Sequence, residues 1–318
     1  MNNRSGRLSA KKKQEQAAGR VVLVSLLTNI SDIVLNLVVG LMTGSVSVLA
    51  QSLQGMADMM TGGTLVLGVE RSKKHANEKY PFGYGREIFF WVLISALFML
   101  IITGGVSIYL GISRIINPQP LESGWLALSV LTIGLILNGY AFSLSYRQLK
   151  KHDLSASIMQ GIKNSSLIEM KATFLIDGAG ALAAAFGLIA IIMYTLTGIA
   201  VFDGLGSLAI GLLMSTFSII LIRDVKDFLV GKAASQRIQD KIAQVAISVD
   251  GVQEVLDLRT MFLGSARLLV IIELHIDERL KTKSIELLSD EVKKRILRKV
   301  PRVEIVQVEV ETPDYEVQ

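Results

Sequence analysis

Long apolar runs separated by short polar connections fill the chain from Val21 to about residue 222, after which shorter amphipathic segments take over. The runs predict six membrane-spanning helices, at about 21–43, 46–69, 88–113, 124–146, 167–196 and 202–222. Each is near the roughly 20 residues that a helix needs to cross a bilayer. Tight turns at Thr43–Gly44–Ser45 and Thr197–Gly198 join the first to the second and the fifth to the sixth. No Pro interrupts a span: Pro81, Pro118 and Pro120 fall in loops, and Pro301 and Pro313 in the tail. From Ser235 the pattern is helical over 235–248, strand-like over 254–262 and 267–277 with Gly264 at the turn, helical over 284–299 and alternating over 303–311. Helix, two strands, helix, strand predicts a small α+β domain.

Composition agrees with that division. The 318 residues are 51% hydrophobic, with a mean hydropathy of +0.48, too apolar for an ordinary soluble protein. The formal charge of +5 is explained by basic loops rather than by nucleic-acid binding. Arg71, Lys73, Lys74, Lys79 and Arg86 follow the second span, Arg147, Lys150, Lys151 and Lys163 the fourth, and Arg223, Lys226 and Lys232 the sixth. The other loops have almost none, so both termini are expected in the cytoplasm of a multi-pass plasma (inner) membrane protein. The domains read as a basic N-terminal segment (1–20), a transmembrane domain (21–230) and a cytoplasmic domain (235–318). No signal-peptide pattern is visible at the start. Cysteine is absent, which excludes disulfides and thiolate metal sites, and His75, His152 and His275 all lie outside the apolar runs.

Two apolar helices carry acids at membrane depth, where a carboxylate costs roughly 3 kcal/mol on insertion scales. The second span has Gln51, Gln54 and Asp58 on one stripe, and the fifth has Glu169, Thr173 and Asp177 on another. If these stripes face each other, Asp58 and Asp177 converge with Gln54 and Thr173 on one oxygen-rich point, a candidate cation site. The bland alternative is pairing with Lys171 or with backbone donors, but Lys171 lies on a different face from Thr173. Amides and hydroxyls also hold membrane helices together without binding anything. Glu169, Gln51 and Asp32, the last with Asn29 and Asn36, either line an ion path or serve packing. Asp203, at the start of the sixth span, reads as a helix cap, with an exit role as the alternative. Oxygen donors suit hard cations such as Mn²⁺, although Zn²⁺ also accepts carboxylates. No nucleophile–base pair or phosphate loop is present, and Gly83-Tyr84-Gly85 is too short for a nucleotide loop, so no enzymatic activity, ATP-driven pumping or bound cofactor is expected.

Several stretches together resemble the cation diffusion facilitator family, over about residues 21–311. They are Gly40–Ser45 leading to Asp58, the Tyr80-Pro-Phe-Gly-Tyr-Gly-Arg86 loop, Asp177 ten residues before Gly187, Phe202-Asp203-Gly204 and Asp257–Thr260. Residues 117–123 and 202–208 look similar to the branch that includes mitochondrial zinc transporter nine and its bacterial relatives. The resemblance implies a homodimer that exports a divalent metal, commonly zinc, in exchange for protons, with a ferredoxin-like tail. It also implies two carboxylates four residues apart on span two, then a His and an Asp four apart on span five. Here these positions hold Gln54 and Asp58, then Thr173 and Asp177. Tyr80 and Tyr84 stand where the family's loop has His. The tail's usual His ligands fall on Leu256, Glu273, Glu286 and Val308, with His275 out of register, so the tail's metal cluster is expected to be missing. The expected mechanism is alternating access, in which the pair of helices bearing the site rocks against the rest. The rival expectation is a non-transporting regulatory or scaffold partner; a carrier of another solute fits less well, since broken helices are not apparent.

Overall fold

The computed structural model describes residues 30–152, 168–277 and 279–312. The basic segment 1–20, Asn29, Lys163 and Pro313 lie outside the described residues. Before the tail the helices are α1 (Ile30–Thr43), α2 (Val46–Ser72), α3 (Glu87–Ile116), α4 (Gly124–His152), α5 (Ile168–Thr197) and α6 (Val201–Val230). Four of these contain a stretch long and apolar enough to cross a membrane: Glu87–Ile116, Gly124–Arg147, Ala172–Thr197 and Val201–Val230. The described part of α1 is shorter, and α2, though 27 residues long, is diluted by Gln51, Ser52, Gln54 and Asp58. One feature of α3 departs from the regular helix expected: Met99–Val106 forms a π-helical segment. Thr103, Gly104 and Gly105, all poor helix formers, sit inside it. The Thr103 hydroxyl donates to the Leu53 carbonyl of α2 at 3.1 Å, so a neighbour engages the irregular turn.

The chain divides into two compact units. The first takes the residues up to Gly63, Ser95–Arg147 and Thr173–Ile219. Val39, Val48, Leu121, Ala127, Val130, Leu131 and Ile191 make an apolar cluster in it. Asp203 has a different role there from capping its own helix. Its carboxylate is fully buried and accepts from Ser45 Oγ (2.7 Å), Val46 N–H (2.8 Å) and Ser47 N–H (3.0 Å), so it caps the start of α2. Arg114 of α3 lies 3.8 Å from the same carboxylate and donates to the Gly44 and Gln119 carbonyls.

The second unit takes Thr64–Ile94, Gln148–Ala172 and Ile220–Gln318. Its tail runs α7 (Gln236–Ile247), β1 (Val252–Gly264), β2 (Arg267–Ile276), α8 (Thr282–Lys299) and β3 (Val303–Val310). β1 pairs antiparallel with β2, and β2 pairs parallel with β3. The middle strand buries Leu268, Val270, Ile272, Leu274 and Ile276, one every second residue, as its pleat requires. Ile242 and Ala246 of α7 and Leu288, Val292 and Ile296 of α8 complete the core. The turn between β1 and β2 is one position later than expected, with Ala266 at φ 53°. The Tyr80–Arg86 loop closes on that hairpin: a Cβ at Gly85 would lie 2.3 Å from the Leu263 carbonyl oxygen, so only glycine admits this approach. Arg86 donates to the Phe228 and Leu229 carbonyls at the end of α6.

Candidate cation site

The site is assembled on α2, α4 and α5, within the first unit. Gln51, Gln54 and Asp58 recur on one face of α2 because three and seven residues return a helix to the same side. Gln51 and Gln54 are each 1% exposed. Gln51 Nε2 donates to Gln54 Oε1 at 2.5 Å, and Gln54 Nε2 donates to Asp58 Oδ2. The three side chains therefore form a one-way relay of N–H donors ending on a carboxylate.

On α5, Gly180 lies three residues beyond Asp177. A Cβ at Gly180 would be 2.7 Å from Gln54 Nε2 and 2.8 Å from Asn138 Oδ1 of α4, so the three helices meet at this point. Asp177 accepts from Ser145 Oγ of α4. Asp58 is within electrostatic reach of both Asp177 and Asp32. Thr173 is half-buried one turn before Asp177. On α1, Asn36 Nδ2 donates to the carbonyl (2.8 Å) and the carboxylate (3.1 Å) of Asp32. Glu169 falls in α5, with its side chain outside the described atoms, as is that of Lys171.

Of the residues singled out in the sequence, the structure thus joins Gln51, Gln54 and Asp58 directly and brings Asp177 into range from a second helix. Asn138 and Ser145 were missed. They stand seven residues apart on α4, the same spacing that marks Gln51 and Asp58. Among the described residues, no group of three or more His, Asp or Glu side chains is close enough to hold a metal ion. A cation here would have to combine two carboxylates with amide and hydroxyl oxygens.

The tail's expected ligand positions are dispersed. Glu273 pairs with Arg259 at 3.6 Å, and Glu286 is exposed. His275 lines a cavity of about 610 Å³ with Asp277, Glu311, Leu280 and Ile285. In the Tyr80–Arg86 loop, Asn77 donates to the Tyr84 hydroxyl at 2.9 Å, and Lys74 and Lys79 lie over the two tyrosine rings. These cations make the loop a poor place for another.

Residues 22–230 match the model of the cation efflux transmembrane domain, and residues 234–312 match that of the cation efflux protein cytoplasmic domain. The chain belongs to the cation efflux family. It is a multi-pass membrane protein with a C-terminal α+β domain, as the motifs led us to expect. The mitochondrial proton-coupled zinc antiporter SLC30A9 of Xenopus laevis is 25% identical over 286 residues, covering 89% of this chain and 51% of the relative. Its human counterpart is 24% identical over 268 residues, 84% of this chain and 47% of that one. The chain thus spans about half the length of these relatives. The cation-efflux pump FieF of Klebsiella pneumoniae is 23% identical over 267 residues, 83% of each protein. A MamM CTD variant in its nickel form shares 22% identity with a TM-score of 0.24, covering 25% of this cation efflux chain and 99% of that structure.

Proposed function

We propose that this protein exports a divalent metal cation from the cytoplasm in exchange for protons, by alternating access. Asp58 and Asp177 are the principal ligands, and Gln54, Thr173 and water complete the shell. Glu169, Gln51 and Asp32 line the path to it. The observation that carries this reading is the approach of Gln54, already bonded to Asp58, to Gly180 one turn from Asp177. Two acids from different helices, in apolar surroundings, make a point where a cation and protons compete for the same oxygens. Loading displaces protons and protonation releases the ion, which couples the two flows. The proton-coupled zinc antiporters among the relatives support the same coupling. In this reading six helices span a plasma membrane, both termini face the cytoplasm, and the ferredoxin-like tail joins two copies as a homodimer.

Purified full-length protein in proteoliposomes tests this. Metal uptake should follow an imposed pH gradient, and Asp58→Ala and Asp177→Ala should each lower it at least about a hundredfold, the scale of removing a charged ligand worth roughly 3 kcal/mol. Equal uptake with and without the gradient would end the coupling claim. A second reading, a non-transporting regulatory or scaffold partner, is favoured by Gln54 and Thr173 standing where the family's ionisable ligands are expected. Protein alone would then move no ion.

A further inference from the structure

Resting on that cation site, we infer that Gln51 is a positioning residue that acts through Gln54, and that the two amides invert together when the ion binds. In the present arrangement Gln54 turns an N–H toward Asp58, while its carbonyl oxygen is occupied by Gln51 Nε2. An N–H repels a cation, so Gln54 has to present Oε1 instead if it is to stay beside an ion held by Asp58. Turning its amide by half a revolution does this and swings Nε2 toward Gln51. Gln51 then needs an acceptor there. Its Oε1 is that acceptor, since it is buried and has no hydrogen-bond partner among the described residues. An orphaned buried acceptor is unfavourable in a finished core and is retained where a second arrangement uses it.

The inversion is mechanically easy. The last torsion of a glutamine is broad and roughly two-fold, so both orientations are open to each residue. One hydrogen bond joins the two amides before and after, with donor and acceptor exchanged. Room is provided by Gly180, where a side chain would stand 2.7 Å from Gln54 Nε2. Gln51 itself is not a ligand of the bound ion. It holds Gln54 in the donor orientation while the site is empty and in the acceptor orientation while it is loaded.

Mn²⁺-induced difference infrared spectroscopy on the full-length protein, with glutamine side-chain carbonyls isotope-labelled, tests the inversion. Two labelled bands should shift on adding Mn²⁺, one for Gln54 gaining a cation and one for Gln51 gaining a donor. Gln51→Met should remove one and leave the other, and Gln54→Met should remove both. Gln51→Glu, which keeps a polar group in the core, should also remove the Gln51 band. Asp58→Asn supplies the control. If it abolishes Mn²⁺ binding while the native protein shows no shifted glutamine band on adding Mn²⁺, or shows two that Gln51→Met and Gln51→Glu both leave in place, the inversion is wrong and the site stands. If Mn²⁺ binds Asp58→Asn as tightly as the native protein, the cation-site reading itself fails.

Discussion

Asp203 shows how a single buried carboxylate organises the chain around it. Three donors at the start of α2 converge on it, and Arg114 stands beside it with its side chain only 10% exposed. Asp203→Ala would strand the three donors and take the counter-charge from Arg114, and breaking such a buried cluster costs about 3–5 kcal/mol. The expected outcome is a large drop in the melting temperature of the purified protein in detergent, with Asp203→Asn less affected because its amide oxygen still accepts. A melting temperature unchanged by Asp203→Ala would remove the cap from the list of stabilising features. Capping was readable from Asp203, but not its object. The helix it caps begins 156–158 residues earlier in the chain, and nothing local encodes that pairing. The relay on α2 was more readable, because Gln51, Gln54 and Asp58 announce themselves by helical period alone.

Elements were readable where one period dominates and hidden where packing decides. Both tail helices and all three strands follow from alternation or helical spacing, with ends displaced by one or two residues. The π segment of α3 did not follow, since Thr103 and the two glycines allow either hydrogen-bond pattern and contacts choose between them. Close approach is another element-level property. Gly85→Ala would drive a methyl group against the backbone oxygen of Leu263, which cannot rotate away. Proteolysis within residues 73–86 should be faster in this variant than in the native protein, and unchanged rates would show that the loop docks by other means. In α8, Arg295 Nε donates to Glu291 at 2.6 Å and holds that carboxyl below the usual carboxylate range. A depressed native pKa means that the folded state binds fewer protons. The pair's contribution is present above the unfolded value, about 4.3, and is lost as pH falls through the native one. Hydrogen-exchange protection in α8, taken relative to the intrinsic amide rate at each pH, should therefore fall more from about pH 5 to about pH 3 in the native protein than in Arg295→Met. Parallel slopes would contradict the linkage.

At the scale of the whole molecule, the ion that the proposed transport would move depends on the ligand set presented to it. Carboxylate, amide and hydroxyl oxygens suit hard cations, whereas imidazole suits zinc. The proposed site would offer Asp58 and Asp177 with Gln54 and Thr173 and no imidazole, although zinc antiporters are among the relatives. Selectivity and descent therefore point in different directions, and a transport competition separates them. With Mn²⁺, Fe²⁺, Co²⁺, Zn²⁺, Cd²⁺ and Mg²⁺ competing in proteoliposomes, native protein should favour Mn²⁺ or Fe²⁺ relative to the same protein carrying Thr173→His. That substitution places a nitrogen donor four residues before Asp177, on the same stripe. It should raise Zn²⁺ over Mn²⁺ on the order of tenfold, the effect of a ligand difference worth about 1.4 kcal/mol. The ratio is the decisive readout, because a variant that merely folds poorly lowers both ions alike. A ratio that does not move would mean that position 173 stands outside the shell, leaving Asp58, Asp177 and the amides to choose the ion.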